Sequence, residues 1–144
     1  MPIKSFRGLM SDNAQERINL RHRDGRIGYR IVKFQAIPED PGDSLGEHTV
    51  KIYKVVQAAV TSTINFSDET LLGVVSVSTH SANLLFNEVI IFDNEIFNQD
   101  IYITHTDRAA SASCNYYIEL EQMPIASDEA TVATLKNMRN TSTP

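Results

Sequence analysis

Hydrophobic and polar residues alternate with period two along much of the chain, which is the spacing of a half-buried β-strand. Residues 16–22 place Ile18, Leu20 and His22 on one face. An Asp24-Gly25 pair follows, and residues 27–34 form a second strand-like run. Asp-Gly between two such runs is a strong turn signal, so the two segments are predicted to form a β-hairpin.

The pattern of short strands continues to residue 121. Further strands are predicted at residues 49–60, 71–79, 89–92, 101–105 and 116–121. Their β-branched content favours strand over helix, although the second half of the first run is also compatible with a helix. In the last run Tyr116, Ile118 and Leu120 share a face that should be buried. About seven short strands predict a mainly β fold, an antiparallel β-sandwich or barrel-like domain.

The two ends of the chain break this pattern. Residues 1–14 have no hydrophobic period and contain several turn formers, which predicts an extended N-terminal arm that the fold does not need. Near the other end Ser127 is a good N-cap, and Val132, Leu135 and Met138 follow at helical spacing. One C-terminal α-helix is therefore predicted at about residues 127–139, within a single domain over residues 15–144.

Charge is divided unevenly along the sequence. Residues 1–36 carry 8 basic and 3 acidic side chains, whereas the remaining residues carry 5 basic and 15 acidic ones, giving net charges of +5 and -10. The N-terminal part is therefore able to attract an acidic surface or another copy of the chain. Strand faces that are simply solvated would have the same composition, so the charge alone does not choose between these interpretations.

Two classes of protein are disfavoured by what the sequence lacks. Cys114 is the only cysteine, so an intrachain disulfide is impossible and packing has to stabilise the fold. No run approaches the roughly 20 apolar residues that span a bilayer. Neither a disulfide-rich secreted scaffold nor a membrane partner is expected.

Few residues are placed for catalysis or metal binding. His105 and Asp107 lie two apart at a strand end and should share one face, but two ligands do not make a metal site. Cys114 lies in a small-residue segment that is typical of a turn. Glu119 and Glu121 share a strand face about 7 Å apart, a spacing compatible with glycoside hydrolysis but common on exposed strands. We expect no catalytic, cofactor-binding or metal site, and hence no enzyme.

A basic surface is the clearest candidate for binding. Arginines are concentrated on the predicted hairpin, together with Tyr29 and Phe34. The arginines could neutralise the phosphates of a nucleic acid while the aromatic rings stack on its bases. The rest of the chain is acidic, however, and arginine pairs equally well with carboxylates, so a protein partner is favoured. The predicted partner-binding residues are Lys4, Phe6, Arg7, Arg17, Arg21, Arg23, Arg26 and Arg30.

Several blocks of sequence also carry a resemblance. They are residues 28–34 (GYRIVKF), 51–54 (KIYK), 96–105 (IFNQDIYITH), 115–121 (NYYIELE) and 129–136 (EATVATLK). From about residue 16 onward the chain resembles small virion structural proteins of tailed phages from marine bacteria. Each block is a predicted strand or the predicted last helix. The resemblance therefore rests on the amino-acid sequence of structural segments and on no functional motif.

The resemblance implies a non-enzymatic virion component, specifically an auxiliary capsid decoration or cement protein that binds the major capsid protein and stabilises the head. It further implies a place on the capsid surface after assembly in the host cytoplasm. Symmetric copies, expected to be trimers, would clamp one junction of the shell. A neck or tail structural protein is the alternative within this class. Outside it, a ligand- or carbohydrate-binding β module would use exposed aromatics, for which the candidates are Tyr29, Tyr53, Tyr102 and Tyr117.

Overall fold

The regular elements of the described part of the chain are strands, apart from the isolated helical residue Leu135. The computed structural model describes residues 2–23, 25–41, 46–81, 84–92, 95–125 and 135, and of residues 79–81 and 84–86 it describes the backbone only. The eight strands are β1 (Ile3–Met10), β2 (Ala14–Ile18), β3 (Ile27–Pro38), β4 (Glu47–Tyr53), β5 (Leu71–Ser81), β6 (Leu84–Ile91), β7 (Ile101–Asp107) and β8 (Cys114–Pro124). The helix predicted at about residues 127–139 lies outside the described residues, apart from the isolated Leu135.

The strands form two antiparallel sheets. One has three strands in the order β1-β8-β3, and the other has five in the order β2-β7-β4-β5-β6. The sheets face each other across a shared core, and Phe34 of β3 packs on Gly73 of β5, where an added Cβ would lie 3.4 Å from the phenyl ring. The predicted mainly β, antiparallel architecture is confirmed, and the arrangement is sandwich-like.

The core is built from the inward positions of both sheets. On β8, Tyr116, Ile118 and Leu120 are buried at 6%, 0% and 0% exposure, as the alternation predicted. They meet Val50, Ile52, Val75, Ile101 and Ile103 of the five-stranded sheet. Each such aliphatic side chain contributes roughly 1.5–3 kcal/mol when it is fully buried, so these two rows supply much of the stabilisation.

The predicted hairpin at Asp24-Gly25 is wrong. Strand β2 pairs with β7 in the five-stranded sheet, whereas β3 pairs with β8 in the three-stranded sheet. Strand β2 ends at Ile18, and the N–H groups of Leu20 and Arg21 then donate to the carboxylate of Asp100 at 2.8 and 3.0 Å. This distant carboxylate binds the backbone of Leu20 and Arg21 that a hairpin would have used, and β3 begins in the other sheet.

The predicted N-terminal arm is also wrong as an irregular segment. Ile3–Met10 is strand β1, which pairs with β8 along its whole length, and Met10 is 1% exposed opposite Cys114. Its inward positions include Gly8, where a Cβ would lie 2.9 Å from the Tyr116 ring, so the backbone itself packs on that ring. A glycine at an inward position hides the strand alternation from the sequence.

One face of the five-stranded sheet is covered by residues 54–70, here called the covering loop. The predicted strand at residues 49–60 ends at Tyr53, and residues 54–60 are neither strand nor helix. The Lys51 ammonium donates to the Thr63 carbonyl at 2.6 Å, and Gln15 exchanges two hydrogen bonds with the Gln57 backbone at 2.9 and 3.0 Å. The loop thereby buries Lys51 and Thr104 on the side of the sheet that faces away from the core.

Because β1 is part of the sheet, substitutions on its two faces should differ sharply. Met10→Ala should lower the free energy of unfolding by about 2–5 kcal/mol, since it empties a buried site. Leu9→Ala, at a position that is 48% exposed, should change it by less than about 0.5 kcal/mol. Urea unfolding of both variants checks this. Equal, small effects would mean that residues 3–10 are a detachable arm after all.

Candidate functional site

The predicted partner-binding residues do not form one ribbon. Lys4, Phe6 and Arg7 lie on β1, Arg17 lies on β2, and Arg30 lies on β3. Arg21, Arg23 and Arg26 lie between β2 and β3, with Arg26 directly before β3. Phe6 and Arg30 are half-buried and the others are exposed. Arg7 and Arg30 lie on the outward side of the three-stranded sheet and Arg17 and Arg21 line a cleft, whereas Lys4 and Phe6 lie on the inward side of β1.

The first surface is the outward side of the three-stranded sheet, called the small-sheet face. Antiparallel register places the following residues on it: Ile3, Ser5, Arg7 and Leu9 of β1, Asn115, Tyr117, Glu119 and Glu121 of β8, and Arg30, Lys33, Gln35 and Ile37 of β3. The two acidic residues of this face, Glu119 and Glu121, have local partners. Arg30 Nε lies 3.4 Å from Glu121 Oε1, and the Tyr117 hydroxyl donates to Glu119 at 2.7 Å.

Large apolar side chains stand among these pairs. Leu9 and Ile37 flank Asn115 across the sheet, and they are 48% and 59% exposed. Ile3 is 50% exposed at the other end of β1, and Val32, at the bulge in β3, is 38% exposed. Scattered exposed aliphatics are ordinary, but these are held on a regular, rigid sheet surface, which is the geometry of a contact site.

The second surface is a cleft beside β2, with a volume of about 240 Å³. Arg17, Arg21, Lys54, Asp100 and Tyr102 contribute to its lining. Asp100 is central, because it accepts the two N–H groups of the crossing and lies 3.1 Å from Arg17 Nε. Burial alone would raise the pKa of Asp100, but these backbone donors and the charges of Arg17 and Arg21 hold that pKa below its usual value.

Burial and position decide whether the other candidate residues, the two glutamates of β8 and the four tyrosines, could form a site. Glu119 and Glu121 lie on the small-sheet face, each with a local partner, and not in a pocket. Tyr29, at 0% exposure, is a core residue, and Tyr53 is buried at 7% exposure opposite Tyr102. The half-buried Tyr117 and Tyr102 lie on the outward sides of different sheets. The four tyrosines therefore do not form the shared aromatic platform that a carbohydrate site would need.

A buried polar cluster lies where the two sheets meet. His48 on β4 and His105 on β7 stack with ring centroids 5.1 Å apart, and His48 Nδ1 lies 2.9 Å from His105 Nε2. Cys114, expected in a turn, instead begins β8 and is 1% exposed. One ring nitrogen of each histidine and the Cys114 sulfur all lie within 4.8 Å of one another.

Asp107 supports this cluster from one side. Its carboxylate accepts the N–H groups of Glu47, Ala109, Ala110 and Ala112 at 2.9 to 3.3 Å, and it lies 3.9 Å from His48 Nε2. Burial opposes ionisation, yet these four donors hold the pKa of Asp107 below its usual value. Burial, helped by the Asp107 charge, raises the pKa of Cys114 to about 12, so the free side chain is a thiol and a poor nucleophile.

Sequence reasoning found half of this cluster. His105 and Asp107 do share the core face of β7, as their spacing predicted. His48 and Cys114 were missed, because their approach to His105 depends on the pairing of β4 with β7 and on the packing of one sheet against the other. The available signal was the alternation of His48 with Val50 and Ile52, which marks His48 as an inward residue.

The sequence was compared with known protein families and with curated proteins. The sequence matches no known protein-family model and no curated protein. Among the residues that the structure describes there is also no helix with the length and apolar character needed to cross a membrane.

The carboxylate of Asp100 in the cleft predicts how the free energy of unfolding depends on pH. Asp100→Asn should lower the free energy of unfolding at pH 7 by about 1–3 kcal/mol, because charge-assisted hydrogen bonds are lost. Since the folded-state pKa is depressed, this stabilisation is present above the unfolded pKa and is lost as pH falls through the folded one. The gap between wild type and variant should therefore close between about pH 5 and pH 2.

Urea unfolding across that pH range measures the gap. Glu69→Gln, which removes an exposed carboxylate in the covering loop, is the control and should track the wild type throughout. A gap that persists undiminished in acid would show that the loss comes from altered packing and not from the charge of Asp100.

Proposed function

We propose that the chain is a non-enzymatic structural protein that docks onto other subunits through the small-sheet face. More specifically, we propose an auxiliary head protein of a tailed phage, which decorates or cements the shell by binding the major capsid protein. Symmetric copies, expected as trimers, would sit on the capsid surface. The resemblance of residues 28–34, 51–54, 96–105, 115–121 and 129–136 to phage virion proteins supports the particle context.

The observation that carries the docking surface is the pair Leu9 and Ile37. Both are aliphatic, both are about half exposed or more, and both are fixed by strand register on either side of Asn115. A partner that covers them gains apolar burial without having to order a loop first, and ordering a loop is one of the main losses in association. Arg7 lies two residues from Leu9 on the same face and supplies a charge for orientation.

The two sides of the sandwich differ in a way that favours this choice. The middle of the outward side of the five-stranded sheet is buried under the covering loop, where Lys51 is 2% exposed, whereas Ile90 on the edge strand β6 is 40% exposed on that side. Within the described ranges, no segment covers the small-sheet face in the same way. A stable contact of standard size buries roughly 800 Å² on each partner, which is within reach of a three-stranded face.

The distribution of acidic residues supports a protein partner over nucleic acid. Glu119 and Glu121 lie in the middle strand of this face, between the basic residues of β1 and β3. Phosphates would be repelled from that strand, whereas a protein surface with mixed charge would match it.

A paired substitution tests the docking surface. Leu9→Ser combined with Ile37→Ser should weaken binding to heads of the phage that encodes the chain by about tenfold or more, because two central apolar contacts are lost. Co-sedimentation with heads prepared without the protein measures this, and circular dichroism should show an unchanged fold. The matched control is Val56→Ser with Ile64→Ser, two residues of the covering loop that are 62% and 41% exposed.

Equal binding by the two double variants would reject the small-sheet face as the docking surface. Electron microscopy of whole particles tests the location separately. Copies on the capsid lattice are expected, whereas six or twelve copies at the neck or along the tail would reject the head assignment.

A further inference from the structure

The geometry points to a metal site inside the sandwich: we propose that His48, His105 and Cys114 bind one transition-metal ion, zinc or copper, between the two sheets. These side chains offer two imidazole nitrogens and one sulfur, and all three residues are buried. Two imidazoles and a thiolate suit zinc and copper, and they are unsuited to magnesium or calcium, which take oxygen ligands.

The hydrogen bonds already present fix which nitrogens are available. His105 Nδ1 lies 2.9 Å from the Ser11 carbonyl, which can only accept, so Nδ1 carries the proton and Nε2 has a free lone pair. That lone pair accepts a hydrogen bond from His48 Nδ1–H, with the two nitrogens 2.9 Å apart. His105 is therefore oriented by a backbone carbonyl in the way that metal-ligating histidines usually are.

His48 has the corresponding support on its other side. Its Nε2 lies 3.9 Å from the Asp107 carboxylate, which the four N–H groups of Glu47, Ala109, Ala110 and Ala112 hold in place. When an ion binds, the His48 proton moves from Nδ1 to Nε2, facing Asp107, and Nδ1 becomes a ligand. Both imidazoles stay neutral and the thiol of Cys114 releases its proton to solvent.

Only small movements separate the present geometry from coordination. Ligands at about 2.0–2.1 Å for nitrogen and about 2.3 Å for sulfur stand roughly 3.3–3.6 Å apart around a tetrahedral ion. The two histidine nitrogens at 2.9 Å must therefore separate slightly, and the sulfur, within 4.8 Å of both, must approach. Side-chain rotation on β4, β7 and β8 is enough for shifts of this size.

Strand register makes Met10 a candidate for the fourth donor. Met10 is the cross-strand partner of Cys114 and is also 1% exposed, which places a thioether beside the thiol. A set of two histidines, one cysteine and a weak methionine favours copper, whereas zinc would complete a tetrahedron with this or another fourth group. Either ion would tie β4 and β7 of one sheet to β8 of the other.

The test uses the full chain, reduced and freed of metal, titrated separately with Co²⁺ as a spectroscopic substitute for zinc and with Cu⁺. One equivalent of at least one ion should bind per chain and raise the melting temperature, and a chelator should reverse the shift. Co²⁺ binding should produce a sulfur-to-cobalt charge-transfer band. Because Cys114 is the only cysteine, that band reports on it directly.

Variants then assign the ligands. Cys114→Ser should abolish the band and weaken binding at least about 100-fold, more than the loss of a group behind a ligand usually does. His22→Gln is the matched control, because His22 bonds the Tyr29 hydroxyl at 2.8 Å and is not one of the three proposed ligands, so the variant should bind the ion as the wild type does. If Cys114→Ser fails to fold, the wild-type band alone decides.

The absence of stoichiometric binding of either ion, or Co²⁺ binding without the charge-transfer band, would overturn the site. Equal affinity of a folded Cys114→Ser variant would do the same. Preferential binding of Cu⁺ or of Co²⁺ would support the site and identify which of the two ions it takes.

Discussion

The buried polar contacts around Asp107 and His105 hold the two sheets together at the point where the chain passes between them. The turn after β1 supplies the Ser11 carbonyl, which accepts from His105, and the Asp12 carboxylate, which accepts from Asp107 N–H at 2.7 Å. Asn13 in this turn takes a left-handed φ of 62°, a conformation that asparagine tolerates better than most residues. Strands β1 and β2 can thus lie in different sheets only three residues apart. Removing any one of these partners would leave a buried donor or acceptor unsatisfied, which costs about 1–3 kcal/mol.

A second buried group determines which sides of the molecule remain exposed. Lys51 projects from the outward side of β4, and the covering loop lies over it. The Lys51 ammonium donates a hydrogen bond to the Thr63 carbonyl of that loop. Burial lowers the pKa of Lys51, while the nearby charge of Asp68 opposes that shift and favours the charged form. Because a buried ammonium has to be satisfied, the loop is held on this sheet. The covering loop thus occupies the middle of one outward side, whereas Leu9 and Ile37 remain exposed on the small-sheet face.

Local pattern predicted the strands that have aliphatic inward rows, and it failed where the decisive contact is distant in sequence. The rows Ile118–Leu120 and Ile101–Ile103 gave both the strand and its buried face. Strand β1 was hidden by the glycine at an inward position, and the Asp24-Gly25 signal was overridden by Asp100, some 80 residues away. The same reason explains the polar cluster. His105 and Asp107 share one strand and were predictable, but the register that adds His48 and the sheet packing that adds Cys114 are tertiary facts.

The charge division of the sequence has a structural explanation that bears on how partners are recognised. The basic N-terminal residues enter both sheets, because β1 and β3 lie in one and β2 lies in the other. Several of them are matched there by acids from the C-terminal part, as Arg17 is by Asp100 and Arg30 by Glu121. Exposed pairs of this kind contribute little to stability, but they cancel the field that a basic patch would otherwise project. Arg17 and Arg30 are thus neutralised within the fold. In the proposed function, recognition of a partner would depend on the shape and apolar residues of the small-sheet face, and exposed charges such as Arg7 would set the orientation.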